Sequence, residues 1–254
     1  MSQPIKLTSL STTTVKSNYA LITGDGFVNS KVPGWNDCTV NVVINEAMGA
    51  NFAQLRTLLN PSSTLTGTTD KTQVFFYVVD GSCSMQINQQ QTQLSTGGYA
   101  YIPIEQSYII EQASEGTELL SFHKSYQLLD GYEIPTPLFG QSTDHEQFIY
   151  ENDPGLLMRY LLPDQQNMSF DMAVNIFTYK PGANLPFVET HIMEHGLLYL
   201  EGQGIYRLDD CWYPVRKGDA IWMAPYCPQW FGALGTEPAT YIYYKGVNRH
   251  PIRH

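Results

Sequence analysis

The sequence predicts an all-β protein made of two copies of one β unit, and three observations lead to this prediction. Short runs of β-branched and aromatic residues recur along the 254 residues, and Gly, Pro, Asn or Asp separates them. Helix signals are few. Strand-like segments are framed by glycines that repeat at one spacing, because Gly81 corresponds to Gly202 and Gly97 to Gly218, each pair 121 positions apart. A fixed repeat of this kind indicates a duplicated unit.

Segments with the composition of β-strands recur along the chain, separated by connections. The segment from Asn51 to Leu59 is compatible with a helix or with a strand that leads into the first unit. Gly131–Gly155 is rich in Pro and polar residues, which favours a connection between the units. We therefore expect two domains, residues 1–140 and residues 141–254. The predicted strands are Thr39–Ile44, Gln73–Val79, Tyr99–Ile102, Met172–Tyr179, His195–Leu200, Ile221–Ala224 and Thr240–Tyr244.

The amino-acid composition of the chain argues against some kinds of binding partner. The chain has 14 basic and 24 acidic residues, a net charge of −10, and no basic cluster, which argues against nucleic acid or an anionic membrane as a partner. Its four cysteines are widely spaced and form no C-x-x-C pair, as expected for a reduced cytoplasmic protein. Residues 1–18 lack the apolar core of a signal peptide, and no apolar run approaches about 20 residues. A small molecule is the expected partner.

The segment Glu189–His195 carries a candidate metal site. Glu189, His191 and His195 share odd numbers, so an extended segment would place all three side chains on one face. Two imidazoles and a carboxylate on one face can bind a divalent metal ion, and Gln229 adds an amide oxygen. This mixed nitrogen and oxygen set has no thiolate, which favours Mn, Fe or Ni over a structural Zn site.

The spacing of these residues is that of a cupin barrel, which is a jelly-roll or double-stranded β-helix. Three ligands belong to a first motif that starts after Gly182, and one belongs to a second motif that starts near Gly218. The usual cupin pattern has His at the positions of Glu189 and Gln229 and Glu at the position of His195, so the identities are permuted here. Only the second unit keeps a ligand set, since the first has Thr68, Asp70, Val74 and Tyr108 at the corresponding positions.

A second interpretation of the same segment is a zinc peptidase, because His191–His195 matches H-x-x-E-H. That motif functions on a helix, where residues four apart share a face. Thr190 before the segment and Gly196 after it favour strand and turn instead.

Further polar residues lie near the end of the chain. Alternation places Lys245 on one face with Tyr241 and Tyr243, and inside a barrel its ammonium group could bind a substrate carboxylate. The alternative is a lysine exposed to solvent. Tyr206 is either a hydrogen-bond donor to a ligand or an ordinary core tyrosine. Cys227 is better explained as a small buried residue than as a nucleophile.

Several segments together resemble the (S)-ureidoglycine aminohydrolase family, two-cupin enzymes of allantoin and purine breakdown. The resemblance covers nearly the whole chain and implies two tandem cupin barrels, the first without ligands. It also implies hydrolytic release of ammonia from (S)-ureidoglycine, yielding (S)-ureidoglycolate. The segments are Gly24–Asn29, Val32–Gly34, Phe170–Met172, Glu189–Gly196, Gly202–Tyr206, Tyr241–Lys245 and Asn248–Arg249.

The resemblance also implies roles for individual residues. Mn²⁺ is expected at Glu189, His191, His195 and Gln229. The substrate is expected at Tyr206, Tyr241 and Lys245, with Glu189 and Lys245 taking part in catalysis. Two other possibilities remain open at this point: another metal-dependent cupin enzyme, such as a dioxygenase or isomerase, and a non-catalytic two-cupin binding protein. Exposed β edges lead us to expect a homo-oligomer.

Overall fold

β-strands form nearly all of the regular structure in the computed structural model, which describes residues 12–250. The first strands are β1 (Thr14–Val15), β2 (Tyr19–Ile22), β3 (Asn29–Ser30), β4 (Trp35–Ile44), β5 (Ala53–Thr68), β6 (Thr72–Asp80), β7 (Ser82–Ile87), β8 (Gln90–Ser95), β9 (Gly98–Ile102), β10 (Ser107–Glu111), β11 (Thr117–Ser125) and β12 (Leu138–Gln141). The later ones are β13 (Phe148–Ile149), β14 (Leu156–Tyr160), β15 (Met172–Tyr179), β16 (His195–Glu201), β17 (Gln203–Leu208), β18 (Cys211–Arg216), β19 (Ala220–Met223), β20 (Gln229–Ala233) and β21 (Ala239–Gly246). Short 3-10 turns lie at Gly24–Gly26, Glu46–Met48 and Ser142–Asp144. The prediction of an all-β protein is confirmed.

Each of the seven predicted strands has a counterpart, and β15 has the predicted bounds. The helical alternative for residues 51–59 is wrong, because β5 begins at Ala53. This long strand has hydrogen-bonded partners on both sides, β4 and β11, so its backbone groups are satisfied within the sheet. Between residues 12 and 250, no helix is long and apolar enough to cross a membrane. The prediction about a signal peptide concerns residues 1–18, of which residues 1–11 lie outside the described range.

The strands form three antiparallel sheets. A ten-stranded sheet contains β3 to β12, an eight-stranded sheet has the order β1-β2-β19-β16-β21-β15-β14-β13, and a three-stranded sheet has the order β18-β17-β20. The chain therefore passes from the first sheet to the second between Gln141 and Phe148.

The start of the chain departs from the predicted division at residue 140. Strand β2 pairs with β19, with Tyr19 opposite Met223 and Ile22 opposite Ala220, so these early residues complete a sheet formed by the later half. Their side chains explain the arrangement, because all four residues of β2 are buried. Burial of such apolar side chains stabilises this pairing.

Three apolar cores hold the sheets together. One lies among strands of the ten-stranded sheet and includes Leu65, Phe76 and Ile110. Another lies among strands of the later half and includes Tyr206 and Phe231. The third combines residues of both halves: Phe52, Phe75, Phe122, Val174, Leu198, Trp222, Ile242 and Tyr244 are among its members.

Strand β21 contributes to two of these cores through its alternation. Ile242 and Tyr244 pack into the core shared by both halves, whereas Tyr241 and Tyr243 point to the core of the later half. This is the alternation expected from the sequence. It directs the side chains of Tyr241, Tyr243 and Lys245 into one cavity.

Candidate active site

A cavity of about 150 Å³ lies inside the later half of the chain. Its walls combine polar groups with apolar and aromatic side chains, among them Met158, Phe177 and Leu197. Such a mixture is typical of small-molecule sites. All seven site residues predicted from the sequence line this cavity: Glu189, His191, His195, Tyr206, Gln229, Tyr241 and Lys245.

Cross-strand pairing, rather than alternation along one strand, brings the candidate ligands together. Residues 189–194 are irregular, so the predicted extended segment is wrong up to His195, which begins β16. Glu189 forms an isolated bridge with Gln229, with N–H to O distances of 2.8 and 2.9 Å. The amide of Tyr226 donates to the carbonyl of His191 at 2.7 Å. His195 pairs with Lys245 across β16 and β21.

The two imidazoles approach each other through the nitrogen atoms that a metal ion would need. The Nε2 atoms of His191 and His195 are 3.0 Å apart. Nδ1 of His191 lies 3.0 Å from the carbonyl oxygen of Met193, so Nδ1 carries the proton and Nε2 presents a lone pair. The backbone of Tyr244 lies next to the ring of His195 and favours a proton on that side of the ring. Burial lowers the pKa of His191 and, more strongly, that of His195, so both rings are neutral at pH 7.

Gln229 completes this group. Its Nε2 atom lies 2.9 Å from Nε2 of His191, and its Oε1 atom accepts a hydrogen bond of 3.0 Å from the hydroxyl of Tyr206. Rotating the amide by half a turn exchanges its nitrogen and oxygen, which directs the oxygen toward His191 and leaves Tyr206 as acceptor. Tyr206 is thus both buried and bonded to a candidate ligand.

These contacts fit a divalent ion. Donors at right angles around an ion with bonds of about 2.1 Å lie about 3 Å apart, which matches the separations of 3.0 and 2.9 Å at His191. Two converging lone pairs without a proton or a cation between them would repel each other. The chemistry of this donor set suits Mn, Fe or Ni. Among residues 12–250, no three His, Cys, Asp or Glu side chains are already gathered into one cluster.

Glu189 stands apart from the imidazoles because its carboxylate is held by Tyr150. The Tyr150 hydroxyl donates to Oε1 at 3.0 Å. Burial raises the pKa of Glu189, and the hydrogen bond from Tyr150 and the charge of Lys245 partly oppose that shift. Oε2 makes no hydrogen bond to the part of the chain that the structure describes. Tyr150 was not predicted as a site residue; it lies just beyond the two-residue strand β13, and its sequence position carries no periodic signal.

Lys245 lines the cavity rather than standing free in solvent. Burial lowers its pKa, and the carboxylates of Asp164 and Glu189 oppose this shift. Its amine has no hydrogen-bond or ion-pair partner within residues 12–250, so all three of its donors are available to a guest. The hydroxyl of Tyr241, by contrast, lies 3.0 Å from that of Tyr179.

The corresponding positions of the first half carry no candidate ligand set, and Thr68 and Tyr108 line a separate groove there. Tyr108 stands where Gln229 would be expected, and its hydroxyl accepts a hydrogen bond of 3.2 Å from the indole of Trp35. Met85, Val74 and the neighbouring apolar side chains form a packed core there. At the position that corresponds to His195, Val74 therefore packs into an apolar core in place of a polar ligand.

The peptidase interpretation is wrong for this chain. The segment His191–His195 is irregular up to the start of β16, so its two imidazoles do not share a helical face. The carboxylate of Glu194 accepts hydrogen bonds from the amide of Asn51 and the indole of Trp222, and therefore points away from the imidazoles. Cys227 is buried, as expected for a small core residue.

Comparisons with known proteins agree with this architecture. Residues 175–244 match the family model described as a cupin domain. The chain is 36% identical to the probable (S)-ureidoglycine aminohydrolase of Oryza sativa subsp. japonica, over 93% of this chain and 75% of that protein. It is 34% identical to the (S)-ureidoglycine aminohydrolase of Arabidopsis thaliana, over 93% and 78%. The crystal structure of the putative glyoxylate-induced protein of Pseudomonas aeruginosa superposes with a TM-score of 0.88 at 29% identity, covering 99% of this chain and 96% of that one.

Proposed function

Because the chain belongs to the (S)-ureidoglycine aminohydrolase family, we propose that it hydrolyses (S)-ureidoglycine to (S)-ureidoglycolate and ammonia. One observation carries this proposal: the candidate metal ligands and Lys245 line the same cavity. A substrate with a carboxylate, an amine and a ureido group on one carbon could contact both at once.

Four residues would hold the metal ion: Glu189, His191, His195 and Gln229. The contact of 3.0 Å between the two imidazole nitrogens supports this assignment. We propose Mn²⁺, which would supply positive charge that polarises a bound anionic group. A single carboxylate among the ligands leaves net positive charge on the site.

The remaining groups would bind and orient the substrate. The amine of Lys245 would form charge-assisted hydrogen bonds with the substrate carboxylate. Tyr206 and Tyr241 would contact the ureido group and fix one face of the reacting carbon. Met158 and Phe177 exclude bulk water from the wall behind the site, which strengthens these interactions.

Release of ammonia requires movement of protons as well as correct placement. The ureido nitrogen donates its lone pair to the reacting carbon as the amine leaves, and water then adds to that carbon. The leaving amine takes up one proton and the added water gives up one. The protons therefore balance, and the overall reaction consumes one water. Oε1 of Glu189, which accepts from Tyr150, would be the oxygen that binds the metal. We assign the proton exchange to Oε2, which makes no hydrogen bond to any residue in the range 12–250. The four unpaired cysteines support placing the reaction in the reducing cytoplasm.

A coupled assay tests this proposal. Allantoate and its amidohydrolase generate ureidoglycine in place, and the protein with Mn²⁺ is then added. Ammonia release should exceed the spontaneous decay of the substrate, and the ureidoglycolate formed should be a single enantiomer. Oxygen consumption without ammonia release would instead support a dioxygenase, and no acceleration at all would support a binding protein.

A further inference from the structure

Glu194 lies between His191 and His195 in the sequence, but its side chain points away from the cavity that they line. It is only 4% exposed. Its carboxylate accepts hydrogen bonds from the backbone amide of Asn51, at 3.0 and 3.2 Å to its two oxygens, and from the indole Nε1 of Trp222 at 2.9 Å. Both partners are pure donors that converge on Oε1, and the amide of Asn51 also reaches Oε2.

The partners of Glu194 belong to both halves of the molecule. Asn51 immediately precedes β5 of the ten-stranded sheet, whereas Trp222 lies in β19 of the eight-stranded sheet. The backbone carbonyl of Glu194 also accepts from the amide of Gly246, at 3.2 Å, next to Lys245. Glu194 therefore ties the segment between the imidazoles to three distant parts of the chain, two through its carboxylate and one through its backbone carbonyl.

Two further contacts hold the residues that follow Glu194 against the start of β5 and the residue before it. A Cβ atom on Gly196 would lie 2.3 Å from the ring of Phe52, so the backbone of Gly196 is in close contact with that ring. The amide of Gln54 donates to the carbonyl of Leu197 at 3.1 Å. Residues 194–197 therefore pack against the first half of the chain, which carries no candidate metal ligands.

We propose that Glu194 is a positioning residue, which fixes the imidazoles of His191 and His195 for metal binding by anchoring their segment to the first half of the chain. This inference rests on the metal site proposed above. The orientation of His191 depends on the carbonyl of Met193, which directly precedes Glu194. His195 directly follows it, so displacement of Glu194 moves both rings. Partners of this kind, one step removed from the metal, change metal affinity by about 10- to 100-fold when mutated.

Mn²⁺ titration of the metal-free full-length protein tests this role, with free Mn²⁺ followed by electron paramagnetic resonance. Glu194→Gln keeps the shape of the side chain but places an NH₂ group against the donors. We expect its Kd for Mn²⁺ to rise about 10-fold or more. Glu115→Gln removes an exposed carboxylate in the first half and should leave the Kd unchanged. Trp222→Phe removes the indole donor and also some volume from the core that both halves share. The effects of Glu194→Gln and Trp222→Phe on the Kd should be less than additive because both substitutions disrupt the same contact.

A second readout does not need the metal. The imidazole ¹⁵N and ¹H NMR signals of His191 and His195 should shift in Glu194→Gln and stay in place in Glu115→Gln. A Glu194→Gln protein that loses thermal stability but keeps the wild-type Kd and imidazole signals would overturn the inference. If Glu194→Gln does not fold, Trp222→Phe decides by the same two readouts. Failure of the wild-type protein to bind Mn²⁺ would instead contradict the proposed metal site, and the imidazole signals would still decide the role of Glu194.

Discussion

His195 and Lys245 face each other across the antiparallel pair β16 and β21. Val74 and His123 form the corresponding pair between β6 and β11 in the first half. The first pair opens into a polar cavity. Around the second, the ring of His123 packs against aromatic side chains including Phe76. The same strand pairing thus holds a candidate active site in one half and a packed core in the other, and the side chains decide which.

Lys245→Met should weaken substrate binding strongly. The substitution keeps the length of the side chain but removes the cation that would pair with the substrate carboxylate. A charge-assisted hydrogen bond contributes about 1.5 to 3 kcal/mol, so KM should rise roughly 10- to 100-fold. Mn²⁺ affinity should change little. Steady-state kinetics and Mn²⁺ titration measure the two effects separately, with the exposed Lys180→Met as the matched control. Unchanged kinetics would remove Lys245 from the substrate site.

Metal removal should abolish ammonia release. Chelation would take away the ion that we propose is bound by His191, His195 and Gln229, and added Mn²⁺ should restore the rate. Gln229→Ala should shift the Mn²⁺ concentration for half-maximal rate upward, since one ligand is lost. The assay measures ammonia against metal added back to protein whose metal content has been determined. Full activity in protein verified to be metal-free would contradict a catalytic metal.

Tyr150→Phe should reduce kcat because Glu189 would lose its only side-chain hydrogen bond in the described part of the chain. The carboxylate would then rotate freely, and a hydrogen bond to a charged group contributes about 1.5 kcal/mol, or roughly tenfold in rate. Tyr132→Phe, at an exposed tyrosine, is the control. The measurement is kcat at saturating substrate and Mn²⁺. A kcat equal to that of the control would show that Tyr150 does not act through Glu189.

The strands could be predicted from the sequence because successive side chains along a strand alternate between its two faces, and these faces pack in different environments. Strand β21 illustrates this, since its alternation correctly placed Tyr241 and Lys245 on one face. The grouping of Glu189 with His195 was expected for the wrong reason. Glu189 reaches the cavity through its backbone bridge to Gln229 and not through a continuous strand, and such a bridge has no periodic signature.

Tertiary contacts explain the other differences. Asn51–Leu59 has residues that suit a helix, but pairing with two neighbouring strands overrides that preference. The pairing of β2 with β19 joins residues about 200 positions apart and is fixed by burial of its apolar side chains, as for Leu21. Tyr150 and Glu194 are held by side-chain hydrogen bonds to residues far away along the chain. No local pattern reports such contacts.

Asp164→Asn should stabilise the protein at alkaline pH. Asp164 is buried, and its Oδ1 atom has no hydrogen-bond partner within residues 12–250. Burial raises its pKa from 3.8 to about 6, and the charge of Lys245 only partly opposes this shift. The folded protein therefore keeps a proton that the unfolded chain releases near pH 4, so this carboxylate lowers stability as the pH rises from about 4 to about 6. Above that range the cost is on the order of 3 kcal/mol, and Asn removes it.

Urea unfolding at pH 8 and at pH 4 measures the effect. The gain from Asp164→Asn should be present at pH 8 and much smaller at pH 4, where this position is protonated in the folded form and partly protonated in the unfolded form. Asp130→Asn, at an exposed site, should change stability little at either pH. A loss of stability in Asp164→Asn at pH 8 would mean that attraction between Asp164 and Lys245 outweighs the cost of burying the carboxylate.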